Sequence, residues 1–252
     1  MCDLPQELVD KVIDNLNELL EQPAPEASSQ NKISDYSTVS KRWVNRTQYH
    51  HFGSLYLPNY HDMAKWRKTI RPDPFGVSRH VRALHWRYID ILDGFEDHLR
   101  VLTNVKEATF HGCGILYCLE NVRLLSQVTS KLVELNINDT SITPAVLTSF
   151  LAASPHLRQF RTNNLWIELD DTPVVSPDDI PFFKGANNLT LLLGGYLPGG
   201  LTWFPSTVRF TKLGVGASCI HHDLDLVNGW IASSRETLEC FDIHREFGFN
   251  GA

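Results

Sequence analysis

The sequence of 252 residues lacks most of the features that announce a chemistry. No apolar run approaches the roughly 18 residues that a transmembrane helix needs. The opening MCDLPQELVD places three acids and a proline where a secretory signal requires a cation and an apolar stretch. There is no basic surplus: 23 Lys and Arg stand against 29 Asp and Glu, a net charge of −6. A nucleic-acid footprint and a polybasic membrane anchor are therefore not expected. Cysteines are few and odd in number, at 2, 113, 118, 219 and 240, and form no disulfide framework. These absences predict a soluble protein of the cytoplasm or nucleus, with the N-x-T sequons at Asn45, Asn138 and Asn188 as accidental matches.

Catalytic signatures are missing as well. The nearest approach to a nucleophile elbow, Gly216-Ala217-Ser218-Cys219-Ile220, fails at its last glycine. No phosphate-binding G-x-x-x-x-G-K-[ST] or dinucleotide G-x-G-x-x-G is present, and the glycines of 194–200 suit a turn. His111, Cys113 and Cys118, and Cys219 with His221 and His222, are the only metal-like clusters, and neither has the C-x-x-C spacing of a structural zinc site. Asp170 and Asp171 are adjacent, which on a strand sends their carboxylates to opposite faces. The expectation is a chain with no catalytic residues, no metal and no cofactor.

The content is that of a folded chain, with 42% hydrophobic residues. Residues 3–16 predict an amphipathic helix. Asp3 suits the N-cap, Pro5 the first turn and Gln6 the capping-box position, and Leu8, Val9, Val12, Ile13 and Leu16 recur at helical spacing. Residues 22–31 (QPAPEASSQN) predict a loop. A second helix is expected over 37–50, with Val39, Trp43, Val44 and Thr47 near one face and Lys41, Arg42, Asn45 and Arg46 mostly off it. Residues 52–57 alternate as a half-buried strand does.

The order of residues in this head resembles an F-box. Its opening, Asp3 to Leu16, is similar to the family's Leu-Pro-x-Glu-Leu/Ile stretch, and Ser37-Thr38-Val39-Ser40-Lys41-Arg42-Trp43 is similar to its Lys-x-Trp closing half. The run from Val44 to Phe52, with Leu55 and Leu57 after it, looks like the passage from F-box to first strand in many fungal F-box proteins. Between the halves the chain departs from the family, with a longer loop, a reduced middle at Lys32-Ile33-Ser34-Asp35-Tyr36-Ser37, and Ser40 where the usual residue is Cys. The resemblance implies docking on a Skp-type adaptor, and through it on a cullin scaffold, by Leu4, Pro5, Leu8, Val12 and Ile13 of the first half and Val39 and Trp43 of the second.

The rest of the chain repeats. The template L-x-x-L-x-L finds Val81-Leu84-Trp86, Val105-Ala108-Phe110, Leu132-Leu135-Ile137, Leu157-Phe160-Thr162, Leu189-Leu192-Gly194, Phe210-Leu213-Val215 and Leu238-Phe241-Ile243, of which five are apolar at all three positions and two fail at the third, at Thr162 and Gly194. Starts are separated by 24, 27, 25, 32, 21 and 28 residues, and Phe52-Leu55-Leu57 precedes them by 29. Helix-like stretches at 115–126, 144–153 and 222–233 lie between triplets. A strand and a returning helix at this period are the signature of leucine-rich repeats, whose units must stack to bury their apolar sides. The series is similar to the degenerate repeats that follow F-boxes in many fungal proteins.

The expected fold is therefore α/β. A small helical unit, 1–51, precedes a solenoid, 52–252, of about seven irregular repeats with parallel strands on the concave face and helices or irregular returns on the convex face. The alternative is a nonrepetitive α/β domain. Triplet residues point inward, so the residues between them occupy the concave face. There Ala83, His85, Arg87, Glu107, Thr109, His111, Glu134, Asn136, Asn138, Gln159, Arg161, Asn163, Lys212, Asp242 and His244 form a hydrogen-bonding surface of mixed sign. The subset His85, Arg87, Glu107, His111, Glu134, Asn136, Gln159, Arg161, Asp242 and His244 is the candidate contact set for an unknown protein substrate. The acidic, proline-containing 168–183 reads as an exposed insertion, and the short tail HREFGFNGA reads as an uncapped or partner-covered solenoid end.

The functional expectation is a substrate-recognition subunit of an SCF-type cullin-RING ubiquitin ligase. A free-standing interaction scaffold or truncated fragment, and an enzyme of unrecognised type, are the competing readings.

Overall fold

The computed structural model describes residues 5–21, 41–57, 77–88, 96–114, 119–168, 180, 189–194 and 208–244. Helix α1 (Gln6–Glu21) and helix α2 (Lys41–His51) pack on each other and lead into β1 (Ser54–Leu57). A short 3₁₀ helix (Val77–His80) precedes β2 (Ala83–Arg87). Then follow α3 (Glu96–Val101), β3 (Glu107–His111), α4 (Leu119–Thr129), β4 (Glu134–Ile142), α5 (Pro144–Ala152) and β5 (Gln159–Ile167). The described elements end with β6 (Thr190–Gly194), β7 (Lys212–Gly216), α6 (Ala217–Ser233) and β8 (Cys240–His244). All eight strands form one open sheet in the order β1 to β8, every neighbouring pair parallel. Helix α3 packs on α4, and α4 on α5.

The fold is α/β and fits a solenoid-like arrangement. Its register aligns the triplets. Leu55, Leu84, Ala108, Leu135, Phe160, Leu191, Leu213 and Phe241 share one row, and Leu57, Trp86, Phe110, Ile137, Thr162, Leu193, Val215 and Ile243 share another. In β6 the triplet is therefore offset by one: Leu191 and Leu193 are buried, where the spacing predicted Leu192 and Gly194. Alternation along a strand decides this, because a shift of one residue exchanges the two faces. The resulting rows join residues of α4, α5 and α6 in one continuous apolar core. In β8, the last strand of the ladder, Phe241 and Ile243 stay 39% and 52% exposed.

Entry into six of the strands is alike. The carbonyls of Gly53, Arg82, Lys106 and Val133 each accept two successive N–H groups from the start of the next strand, and those of Leu189 and Thr211 do so further along. Backbone groups at the turns are thus satisfied in pairs, and the pairing sets the register. Helix α5 shows the local logic. Thr143 has extended backbone and accepts a hydrogen bond from Val146 N at 3.3 Å, and Pro144 occupies the first turn. Seven of its nine residues are buried, so it serves as an inner wall of the core.

One inward position breaks the apolar rule. Thr162 is 5% exposed and its hydroxyl has no hydrogen-bond partner, between Ile137 and Leu193 on the neighbouring strands. An unpaired buried hydroxyl is costly. Thr162→Val is expected to raise the stability by about 1 kcal/mol, read as a higher urea midpoint at unchanged slope.

The expected helix over 3–16 is observed at Gln6–Glu21, and that over 37–50 at Lys41–His51. The predicted loop 22–31, the reduced middle of the F-box-like segment and most of the 168–183 insertion lie outside the described residues. Within that insertion Ile180 is fully buried, so this residue belongs to the core and not to an exposed edge.

Candidate functional site

Two regions hold the residues that the sequence singles out. The first is the helical pair. On α1, Val9 and Ile13 are buried at 3% and 0%, while Leu8 and Val12 are 47% and 43% exposed and Pro5 is exposed. The apolar stripe of α1 is therefore wider than its buried face. Of the seven residues expected to dock an adaptor, Leu4 and Val39 lie outside the described residues. Pro5, Leu8 and Val12 are presented to solvent, Trp43 is half-buried, and Ile13 is enclosed.

What joins the pair is a cluster that sequence reading missed. Asp14 accepts two hydrogen bonds from Arg46, at 2.6 Å from Nε and 2.7 Å from Nη2, and lies 2.8 Å from His50 Nε2. Arg46 was expected off the packed face, yet it bridges the helices, with its methylenes and planar fork well suited to a carboxylate in a half-buried seam. The available signal was the spacing of Arg46 and His50 by four, which puts both on one side of α2. The Arg46 hydrogen bonds, helped by His50 and opposed by burial, hold the Asp14 carboxyl at about 2 against an ordinary 3.8. A carboxyl lowered in the folded state stabilises fully above pH 4, and that contribution is lost as the pH falls toward 2. With Asp14 about a third exposed, the contribution is about 1 kcal/mol after screening. Asp14→Asn is expected to remove it, and to flatten the acid limb of the melting temperature between pH 4 and pH 2.

The second region is the sheet face turned away from the helices. The register places His85, Thr109, Asn136, Arg161 and Leu192 in one row, and Glu107, Glu134, Gln159, Thr190 and Lys212 in another. Asn136 Nδ2 donates to Glu134 Oε1 at 3.1 Å and to Thr109 Oγ1 at 3.4 Å, and Arg161 Nε stands 3.8 Å from Glu134 Oε1. Burial pushes the His85 imidazole below its ordinary value, opposed by the Glu107 carboxylate. Gln159 Nε2 is buried without a partner. Asp242 and His244 belong to β8, two strands beyond β6, so the candidate contact set divides into a β2–β5 group and an outlying pair.

A third row was not foreseen. The residues following Arg87, His111, Asn138 and Asn163 in register are Tyr88, Gly112, Asp139 and Asn164, and all four are left-handed, with φ of 53°, 58°, 48° and 51°. Glycine, asparagine and aspartate tolerate this region; tyrosine does so only when its surroundings enforce it. At Gly112 they do: an added Cβ would stand 2.7 Å from the Tyr88 ring, so the ring occupies the space a side chain would need. Across this row Tyr88 Oη is 3.4 Å from His111 Nε2, His111 Nδ1 is 3.3 Å from Asp139 Oδ2, and Asn164 Nδ2 donates to Asp139 Oδ1 at 2.9 Å. The sequence signal was a Gly, Asp or Asn two residues past the last triplet position in three successive repeats. The kink turns the next residues of β4 and β5, Thr140 and Leu165, back into the core.

Among the described residues no group of three His, Cys, Asp or Glu side chains is placed to hold a metal ion. Cys113 is buried, with its thiol 3.4 Å from the carbonyls of Trp86 and His111 and its N–H on Thr140 Oγ1 at 3.3 Å. No described helix is long and apolar enough to cross a membrane. A scan against models of known protein families finds no match, and a search of curated proteins finds no relative by sequence.

Proposed function

We propose that this chain is a receptor that joins two other proteins. In this reading α1 and α2 are the helices of an F-box that dock a Skp-type adaptor. The eight-stranded ladder is a leucine-rich-repeat-like body whose open face holds a protein substrate for a cullin-RING ubiquitin ligase. The observation that carries it is the exposure of Leu8 and Val12. They lie one turn apart on a helix whose buried side is already supplied by Val9 and Ile13. An apolar pair left outside a filled core, with Pro5 beside it, suits a partner that completes the burial. The open face, with donors and acceptors of both signs on β2–β5, suits a folded protein or peptide. The chain's contribution to ubiquitin transfer is then proximity, by holding substrate and ligase together.

The test is coexpression with a Skp-type adaptor followed by size exclusion. A stable one-to-one complex is the expected result. Folded protein that shows no association at micromolar concentration would leave the free-standing scaffold as the reading to pursue.

A further inference from the structure

At the seam of α1, α2 and the 3₁₀ helix lies an open cavity of about 400 Å³, lined by Gln6, Asp10, Asn45, Arg46, Tyr49 and His80. Gln6 and Asp10 are each offset by two residues from Leu8 and Val12, about 200° around the helix, so the cavity opens away from the exposed apolar stripe. Three of its side chains, Arg46, Tyr49 and His80, offer donors, beside the acceptor oxygens of Gln6, Asp10 and Asn45. Arg46 gives Nε and Nη2 to Asp14 and keeps Nη1. Tyr49 Oη accepts from Arg82 Nη1, which leaves the phenolic O–H to donate. His80 Nε2 accepts from Arg79 Nε at 3.1 Å, which assigns the ring proton to Nδ1.

The charges point the same way. The guanidinium carbons of Arg46 and Arg82 stand 4.6 Å and 3.8 Å from the centre of the Tyr49 ring, and Arg82 Nε is buried without a hydrogen-bond partner. Asp14 is committed to Arg46 and His50, and Asp10 Oδ1 accepts from Gln6 Nε2 at 2.8 Å. Burial, then the charges of Arg79 and Arg82, push the His80 imidazole below its ordinary value, as expected beside a positive potential. Three donors, one guanidinium group and one carboxylate in the lining, with the guanidinium groups of Arg79 and Arg82 against His80 and Tyr49, describe a place for an anion with several oxygens.

We infer that this cavity binds a small soluble phosphate-type oxyanion, gripped by Arg46 Nη1, the Tyr49 hydroxyl and His80 Nδ1–H, a site independent of any adaptor or substrate. A ligand there would touch both the helical pair and the residues leading into β2.

Inorganic pyrophosphate titrated into the full chain, followed by calorimetry and by the His80 ring signals, provides the test. Saturable binding that shifts those signals is expected. His80→Leu, and Tyr49→Phe with its ring retained, should each weaken it about ten-fold, the loss of one hydrogen bond to a charged ligand. Asp10→Asn should tighten it at least about three-fold, the effect of removing one like charge some 6 Å away in water. Absence of saturation at about 10 mM, where a site with Kd near 1 mM would be filled, would overturn the inference. So would binding indifferent to all three substitutions. Cosedimentation with phosphatidylcholine vesicles carrying phosphatidylinositol phosphate, without a response to pyrophosphate, would overturn it in favour of a membrane headgroup.

Discussion

Phe110→Ala is expected to cost about 3–5 kcal/mol, as removal of a large buried aromatic side chain commonly does. Phe110 is 1% exposed and lies in the inner row of β3. Its ring meets Trp86 of β2 edge-on at 5.7 Å and Phe150 of α5 edge-on at 5.8 Å, so it joins two strands to the helical wall. These contacts favour the quadrupole geometry of aromatic pairs and add to the burial itself. The neighbours cannot close over the gap. Trp86 is held by its own strand, and α5 is pinned by burial along most of its length. With total stabilities usually about 5–15 kcal/mol, the substitution removes a large share. Urea unfolding should show a strongly lowered midpoint. A loss under 1 kcal/mol would mean that the three rings are not packed as described.

The second large effect concerns the proposed adaptor contact. Leu8→Asp with Val12→Asp is expected to reduce adaptor affinity at least about 30-fold, the effect of losing about 1 kcal/mol at each of two central apolar contacts. Circular dichroism should be unchanged, because both side chains face water already. Ile13→Asp is the contrasting control. It places a carboxylate at a position with 0% exposure and should disrupt the helical pair itself. If the Leu8/Val12 variant keeps a full-strength complex, the exposed stripe is not the docking surface. Loss of binding in the Ile13 variant alone would be a folding effect and would carry no information about contact.

The strands were legible because the spacing of apolar triplets and the alternation within each act together. A strand whose inward residues must meet those of its neighbours has little choice of register. The β6 triplet shows the limit: with Leu191, Leu192 and Leu193 all apolar, the alternation is silent, and only pairing with Phe160 and Thr162 selects the inward pair. Leu8 and Ile13 illustrate a second limit. Both fall within the α1 stripe, and nothing in their spacing says which faces α2 and which faces water. Arg46 was misplaced because hydropathy treats a guanidinium as a surface group, although a carboxylate on the facing helix makes it a bridge. The left-handed row depended on backbone angles, with Tyr88 hidden by its residue type and disclosed only by its fit over Gly112.

The order of the strands has a consequence for synthesis. Because β1 to β8 pair in chain order, each new strand finds its template in the repeat made just before it. The pairing of distant segments that slows many β-rich folds is absent from this ladder. A chain emerging from the ribosome at about 5–20 residues per second can therefore set each repeat onto a finished edge before the next one arrives. Growth of the sheet then follows growth of the polypeptide. The sticky edge at any moment is the one that the next 20 to 30 residues are about to cover.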